Sequence, residues 1–464
     1  MSSTTFKPEY AWYGDDFTGA SDTLATLSQG GLSALLLLEP PPQQRWARLK
    51  GVQAIGLAGA TRSMDPAAMR RALAPAVRFF TAIQPGVLHY KICSTFDSTP
   101  RVGNIAVALE SLRPAASVPV TPILGGQPSL GRYCIFGNLY ARAGQDGHVY
   151  RLDRHPTMSR HPVTPMKEAD LLRHLQAQGL AGLLGLSYTD YTQAGWSAGQ
   201  QAARWLSAGA ASGHLHPVLD VSCDEDLNQA GAVLTELSRH GTVLTAGASS
   251  VAQAYLSQSN RLSPTPAGNL SPAEKPVLIV VGSQSPVTER QVALCRMADI
   301  LMLDPVRLHA SPGYAEQLQE KVRRNLQQGR HTLLKTQSAD KTASTPEQLD
   351  TQSAGDASQP AAVLPALVVA RDTANLIAGL TRRLRADGLL SRLCIAGGDT
   401  SSLGTQALGI WGLSYLGQVG PGVSLCQCHS DDELQGLELV LKGGQMGADD
   451  FFDRIILGGA ADQN

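Results

Sequence analysis

Short apolar runs alternate with amphipathic stretches along most of the chain. "YAWYG", "SALLLLE", "VQAIGLA" and "VLHYKI" read as strands, with a helix beginning near Thr18 and an Ala/Arg-rich helix predicted from Asp65 to Thr81. "AGLLGLS", "HPVLDVS" and "GTVLTAG" continue the series, separated by helical stretches around 193–211 and 224–240. Strand and helix in regular alternation predict an α/β fold. The strand runs are apolar almost throughout, as expected of largely parallel sheets flanked by helices on both faces.

The alternation breaks at "SQSNRLSPTPAGNLSPAEK", residues 257–275, where Pro, Ser and Asn stand in linker proportions, and "PVLIVVG" then opens a new sheet. Two lobes are expected: a first domain over 1–258, a linker over 259–275 and a second domain over 276–464. Within the second, "QSADKTASTPEQLDTQSAGDASQP", residues 337–360, is poor in apolar residues and predicts a mobile loop.

Composition narrows the possible partners. The 464 residues carry 38 basic and 39 acidic side chains, a formal charge of -1, so no broad electropositive surface advertises nucleic acid or membrane. An anionic ligand must then be held locally. Seven cysteines, an odd number scattered through the chain, do not form a disulfide framework. The start "MSSTTFKPEY" lacks the basic and apolar regions of a signal peptide, and no apolar run approaches the roughly 20 residues of a membrane span. A cytoplasmic protein is the expectation.

Candidate chemistry sits where strands run into helices, the edge at which open α/β sheets bind ligands. In "YGDDFTGASDTL" the pair Asp15 and Asp16 meets a helix start, with Gly19 and Ala20 small enough to admit a ligand close to the backbone. Asp16 as a plain helix cap with Asp15 solvated is the competing reading. "YKICSTFDSTPRVGNIA" follows another strand: Lys91 offers a compact charge for a carboxylate, and Ser94, Thr95, Ser98 and Thr99 offer partners for hydroxyls, a mixture suited to a polyhydroxy acid.

The second lobe brings "VVGSQSPVTERQV", "CIAGGDTSSLGTQALGI", "VGPGVSLC" and "LVLKGGQMG", glycine-bearing turns behind apolar segments. Such turns supply backbone donors for phosphates without a Walker lysine, and together they predict a nucleotide site. Neither G-x-x-x-x-G-K-[ST] nor a convincing G-x-G-x-x-G is present, which counts against P-loop and dinucleotide-fingerprint readings. "CQCH" at 426–429 lacks a second ligand pair and falls where a strand is expected, so no metal site is assigned. His155 and His161, each followed by proline, are candidates to line the first lobe.

"YGDDFTGASD", the Lys91–Gly103 region, "GSQSPVTERQ", "GGDTSSLGTQALGI", "GPGV" and "KGGQMG", in this order across nearly the whole chain, resemble the four-carbon acid sugar kinase family. The resemblance implies an N-terminal lobe that binds an acid sugar, a C-terminal lobe that binds ATP, and phosphoryl transfer in the cleft between them, with Mg²⁺ as the accompanying cation. Asp15 and Asp16 match the family's acidic pair and become the candidates for general base. Ser283 or Ser285, Gly397, Gly398, Asp399, Thr400, Gly422 and Gly444 match its nucleotide-contacting turns.

The family's "K-x-D-S-T-x-R-G" is only partly kept. Either Lys91 holds its place with Cys93 where the aspartate belongs, or Asp97-Ser98-Thr99-x-Arg101 is kept and the lysine is displaced. Lys91 or Arg101 is then the carboxylate's cation, with Ser94, Thr95 and Asp97 beside it. The segment 131–166 looks particular to a side branch of the family that includes enzymes acting on branched acid sugars such as 3-oxo-isoapionate. The expected activity is ATP-dependent phosphorylation of a hydroxyl on a small acid sugar, a tetronate, a 3-oxo-tetronate or a branched relative. Self-association stays open. A non-catalytic two-lobed organic-acid-binding protein is the rival, and a dehydrogenase is disfavoured by the missing fingerprint.

Overall fold

A computed structural model describes residues 6–143, 147–161, 163–259, 270–337, 366–420, 422–444 and 446–459. Residues 260–269 of the expected linker and 338–360 of the expected loop lie outside the described residues. The fold divides into two compact units, Met1–Pro266 with Gly412–Tyr415, and Ala267–Trp411 with Leu416–Asn464.

In chain order the first unit carries β1 (Tyr10–Gly14), α1 (Phe17–Gln29), β2 (Ala34–Leu37), β3 (Ala54–Ala58), α2 (Pro66–Ile83), β4 (Val87–Lys91), α3 (Ile105–Leu112) and β5 (Ile123–Leu124). It continues with β6 (Arg132–Ile135), β7 (Asn138–Ala143), β8 (His148–Arg151), α4 (Leu171–Ala177), β9 (Leu183–Leu186), α5 (Ala198–Ser212), β10 (His216–Leu219), α6 (Asp224–Ser238), β11 (Val243–Gly247) and α7 (Ser250–Ser257). Its main sheet runs β2-β3-β1-β4-β11-β5-β10-β9, all parallel. Gly412 and Leu413 add an antiparallel pairing on β2.

Every residue of β1, β3, β4 and β11 is buried, which is why these strands are legible as apolar runs. The helix of the Asp65 stretch begins as its residues dictate. Asp65 caps the amides of Ala67 and Ala68, Pro66 occupies the first helical position, and Met69, Leu73, Ala76, Phe80 and Ile83 face the core at helical spacing.

One feature was not anticipated from sequence. The 3-stranded antiparallel sheet β6-β7-β8 is built from "RYCI", "NLYARA" and "HVYR", whose short mixed runs carry too little apolar alternation to announce strands. The helix expected behind "YKICSTFDSTPR" also starts late, at Ile105, with Asn104 as its cap, because Pro100 and the left-handed Gly103 hold the chain in a loop until then.

The second unit carries β12 (Val277–Val281), α8 (Pro286–Leu294), β13 (Ala298–Leu303), α9 (Pro305–Ala310), α10 (Pro312–Gln327), β14 (His331–Thr336), α11 (Ala366–Ala386) and β15 (Arg392–Ala396). It ends with α12 (Gly398–Leu408), β16 (Gly412–Gly420), β17 (Val423–His429), β18 (Glu438–Lys442) and α13 (Phe451–Leu457). The strand order is β13-β14-β12-β15-β18-β17-β16. The pairings from β13 to β18 are parallel and β18-β17 is antiparallel, so the expected largely parallel sheet carries an antiparallel margin.

Lys442, the last residue of β18, is fully buried beneath the Phe451 ring at 5.6 Å. Burial pulls its ammonium down from the ordinary 10.5 to about 8, with the Cys394 side chain acting the other way.

Two expectations follow from this packing. Trp12 lies flat over Gly56 on the neighbouring strand, and a Cβ there would come 2.1 Å from the indole. Gly56→Ala should therefore lower stability by about 1–3 kcal/mol in urea unfolding, the usual cost of overpacking; an unchanged midpoint would contradict the packing. For Lys442 the sign is fixed by its depressed pKa. Between pH 8 and 10.5 the unfolded chain binds more protons than the folded one, so this group makes stability rise with pH across that window. In parallel thermal melts at pH 8 and pH 10, Lys442→Met should lack that gain relative to wild type.

Candidate functional site

The register of the first unit brings its strand ends to one level. Gly14 pairs with Ala58 and Lys91, Lys91 pairs with Gly247, and Gly247 pairs with Leu124. The residues that follow these ends therefore share the carboxyl edge of a parallel sheet. Asp15 and Asp16 leave β1 there. Asp16 is the N-cap of α1, its Oδ1 accepting from the Gly19 amide at 2.6 Å, so the capping reading holds for this residue.

Asp15 is not solvated. It is 4% exposed, and Arg62, which follows the end of β3, grips it through Nε and Nη2 at 3.0 and 2.7 Å. The remaining Nη1 of Arg62 lies 2.6 Å from Asp16 Oδ2. One guanidinium thus clamps both carboxylates. Burial pushes the Asp15 carboxyl above the usual carboxylate range, opposed by the Arg62 charge and reinforced by Asp16. Arg62 was missed in the sequence; its only signal was an arginine placed just past a strand end, as the aspartates are.

Lys91 closes β4 with its Nζ donating to the Ile92 carbonyl at 2.8 Å, and it is 4% exposed. A Cβ placed on Gly19 would come 2.6 Å from both Lys91 Nζ and Asp16 Oδ1, so the glycine is what lets this ammonium approach the acidic pair. Beyond it, Cys93 Sγ and Thr95 Oγ1 lie 3.1 Å apart, and Thr95 donates to Asp97 Oδ1 at 2.7 Å. Burial, with Asp97 adding to it, pushes the Cys93 thiol up to about 11, while Arg62 acts in the opposite sense. Lys91, Thr95, Asp97 and Cys93 are therefore brought into one neighbourhood with the Asp15–Arg62–Asp16 cluster, and Ser94 stands half-buried among them.

Other residues of this loop serve the loop itself. Ser98 is 1% exposed and bonded to His174 and Gln178, both at 2.8 Å. Thr99 Oγ1 accepts the Arg101 and Val102 amides. Arg101 is exposed on that turn and makes no ion pair among the described residues. Phe96, 1% exposed, adopts φ +54°, a left-handed conformation that a bulky residue keeps only when packing holds it.

The second unit builds its site from backbone and small side chains. Ser285 caps α8 by accepting the Thr288 amide at 3.2 Å, and its hydroxyl donates to the Gly444 carbonyl. Thr288 Oγ1 donates to the same carbonyl at 2.7 Å and receives Lys442 Nζ at 2.9 Å. Thr288 and Lys442 were not singled out from sequence, although Lys442 opens the quoted "KGGQMG". A Cβ on Gly444 would meet Ser283 Oγ at 2.8 Å, one on Gly282 would meet Thr400 Oγ1 at 2.0 Å, and one on Gly397 would meet the Ser283 amide nitrogen at 2.9 Å. Ser283 thus lies against both Gly397 and Gly444, and Thr400 against Gly282.

Gly397 has φ +129° and precedes α12 without a side-chain cap, which leaves the first-turn amides of that helix without a side-chain partner. At Gly398, exposed, an added Cβ would meet nothing within 4 Å. Asp399 follows in the same turn, and its side chain lies outside the described residues. Gly422, at φ +68°, has the Met446 methyl where a side chain would go, which connects it to the Gly443–Gly447 loop.

Other candidates are accounted for by packing. Cys426 and Cys428 lie buried in β17; burial pushes Cys426 up to about 12 and Cys428 further in the same direction. The His155 ring accepts the Thr157 and Met158 amides, and the His161 ring accepts the Thr164 amide. Among the described residues no group of His, Cys, Asp and Glu is arranged to hold a metal ion, and no helix is long and apolar enough to cross a membrane.

Comparison with known proteins agrees with this division. Residues 10–255 match the model of a sugar-binding N-terminal domain, and residues 278–452 match that of a nucleotide-binding C-terminal domain. A 3-oxo-isoapionate kinase of Paraburkholderia graminis is 34% identical over 96% of this chain and 93% of its own length. A 3-oxo-tetronate kinase of Actinobacillus succinogenes is 30% identical over 95% and 97%. A solved Salmonella typhimurium LT2 structure superposes with TM-score 0.74 at 26% identity, covering 96% of this chain and 98% of that one. Matched over nearly its whole length by kinases of this kind, and by domain models of both halves, the chain belongs to the four-carbon acid sugar kinase family.

Proposed function

We propose that this protein is an ATP-dependent kinase that phosphorylates a hydroxyl of a small acid sugar, a 3-oxo-tetronate or a branched relative such as 3-oxo-isoapionate. The observation that carries the reading is the full-length similarity to a 3-oxo-isoapionate kinase, 34% identical over 96% of the chain. Seven unpaired cysteines fit a reducing compartment, and we place the protein in the cytoplasm.

Phosphoryl transfer depends on positioning and charge stabilisation, so each residue should be judged by what it holds. Asp16 is the candidate base: its side chain is 27% exposed, and its cap and its ion pair fix the carboxylate without using all of its lone pairs. Asp15, buried and doubly bonded to Arg62, is a positioning residue for that guanidinium. Ser94, Thr95 and Asp97 are the candidates for the sugar's hydroxyls, with Lys91 and Arg101 as the cations of their loop.

The nucleotide's phosphates fit the start of α12, where Gly398 to Thr400 present amides and Gly398 leaves open space, the Gly397 amide being taken by the Lys442 carbonyl. Ser283, Ser285, Gly422 and Gly444 shape the wall beside it. With no protein cage for a cation among the described residues, Mg²⁺ would be held largely by the phosphates themselves, as is usual for this ion. When bound it would neutralise charge on the transferring group.

ATP consumption by the purified protein against tetronates, 3-oxo-tetronates and branched acid sugars should single out one subset of these acids; a protein inert to all of them overturns the proposal. Asp16→Asn keeps the cap but removes the base and the ion pair to Arg62 Nη1, so kcat should fall roughly 10²- to 10⁴-fold with a smaller loss of melting temperature than Asp15→Asn causes. Asp15→Asn should act chiefly on stability, since it leaves part of a clamped guanidinium unpaired. An Asp16→Asn enzyme as fast as wild type would leave Asp16 as a cap alone. A Cβ added at Gly398 meets no protein atom within 4 Å, so Gly398→Val should fold, raise KM for ATP at least several-fold and leave KM for the sugar unaltered.

A further inference from the structure

The β6-β7-β8 sheet delivers a cation to the carboxyl edge of the first unit. Gln127 lies just past the end of β5, and it exchanges backbone hydrogen bonds with Arg132 at 2.9 and 3.1 Å, so Arg132 is pinned at that edge. The far end of β6 is anchored as well. The buried Asp220, next after β10, accepts the Phe136 and Gly137 amides at 2.5 and 2.9 Å, and the Cys134 amide donates to the Val221 carbonyl at 2.9 Å.

Arg132 is a half-buried cation of this region with no carboxylate partner among the described residues, whereas Arg101 and Arg142, which also make no ion pair there, are exposed. Its Nη1 donates to the Leu130 carbonyl at 2.6 Å, while its Nε is buried with no partner, and no carboxylate lies within ion-pair distance of it among the described residues. Among the groups whose charge acts on it are Cys93 and Asp97 of the Lys91–Arg101 loop, together with Arg142 and Tyr133 of its own sheet. Asp97 itself accepts from Thr95. The alternatives are spent or exposed: Arg62 uses three nitrogens on the acidic pair, Lys91 is buried against the Ile92 carbonyl, Arg101 is exposed on a turn, and Arg142, whose charge also acts on Arg132, is exposed on β7.

A buried charged donor without a partner is costly, and the cost is relieved by an anion that reaches it. The Nε/Nη2 edge of a guanidinium matches the two oxygens of a carboxylate. We propose that Arg132, rather than Lys91 or Arg101, binds the carboxylate of the acid sugar and so sets the preference for acids over neutral sugars. This rests on the acid-sugar reading above. It also gives a role to the 131–166 segment, which carries the guanidinium on a sheet of its own.

The test measures binding to the full chain by calorimetry, with D-erythronate and L-threonate as probes and D-erythronamide as the neutral analogue of the same shape. Wild type should prefer the acids. Arg132→Gln should weaken acid binding roughly 10- to 100-fold, the worth of a charge-assisted pair, and leave the amide nearly unaffected. Lys91→Met and Arg101→Met should preserve the acid-over-amide preference. Arg132→Lys, which keeps the charge but loses the fork, should fall between and serves if the Gln variant does not fold.

A folded Arg132 variant with the wild-type preference overturns the proposal. Wild-type protein that binds none of the acids overturns it together with the acid-sugar reading. ATP consumption is followed in the same preparations. Arg132-dependent acid binding without turnover of any acid would sustain the inference while the kinase reading fails, and turnover with an Arg132-independent acid preference would do the reverse.

Discussion

A carboxylate taken almost wholly out of water at the end of a parallel strand cannot remain there as a charge unless something of opposite sign is fixed beside it. For Asp15 that partner is Arg62, and the geometry of the first unit's edge follows from the pairing. Arg62 comes from beyond β3 and Asp15 from beyond β1, adjacent strands whose parallel register sets Gly14 against Ala58. Because the guanidinium has donors left over, it also reaches Asp16, which stays at the helix start with one oxygen on the Gly19 amide. The clamp thus sorts two neighbouring carboxylates into different environments, one buried and saturated, the other partly exposed.

The same edge shows how charge is distributed when the sheet beneath is apolar. Lys91 lies against Gly19 and carries positive charge toward the acidic pair, and Cys93, Thr95 and Asp97 follow in a loop held by the strained, buried Phe96. Arg132 reaches this loop from a separate antiparallel sheet. An acid sugar needs hydroxyl partners, a base and a cation for its carboxylate, and the candidates proposed for these roles stand on elements that follow the ends of strands at one level of the sheet.

The second unit solves a different problem with different means. Its candidate phosphate site is made of small residues whose close contacts exclude larger ones: Thr400 over Gly282, Ser283 against Gly444 and Gly397. The Lys442–Thr288–Gly444–Ser285 hydrogen bonds hold the loop after β18 against the start of α8. Backbone donors are rigid and cost no side-chain entropy on binding, which suits a ligand recognised mainly by its charge.

The sequence by itself determined the elements whose signal is local. β1, β3, β4 and β12 are buried along their whole length and so had to be apolar runs, and α2 is bounded by an Asp-Pro start that admits few other conformations. The acidic pair and the glycine turns were visible for the same reason, since a helix start or a close backbone approach restricts residue type at the position itself. What the tertiary structure decided was pairing between distant positions. Nothing in "ATRSM" says that Arg62 clamps residues 15 and 16, nothing in "GRYCI" says that the charges of residues 93 and 97 act on Arg132, and Lys442 looks solvated until Phe451 is found above it. Such contacts arise from strand register and from insertions packed at strand ends, and these are set by the burial of the whole sheet rather than by any one stretch of the chain.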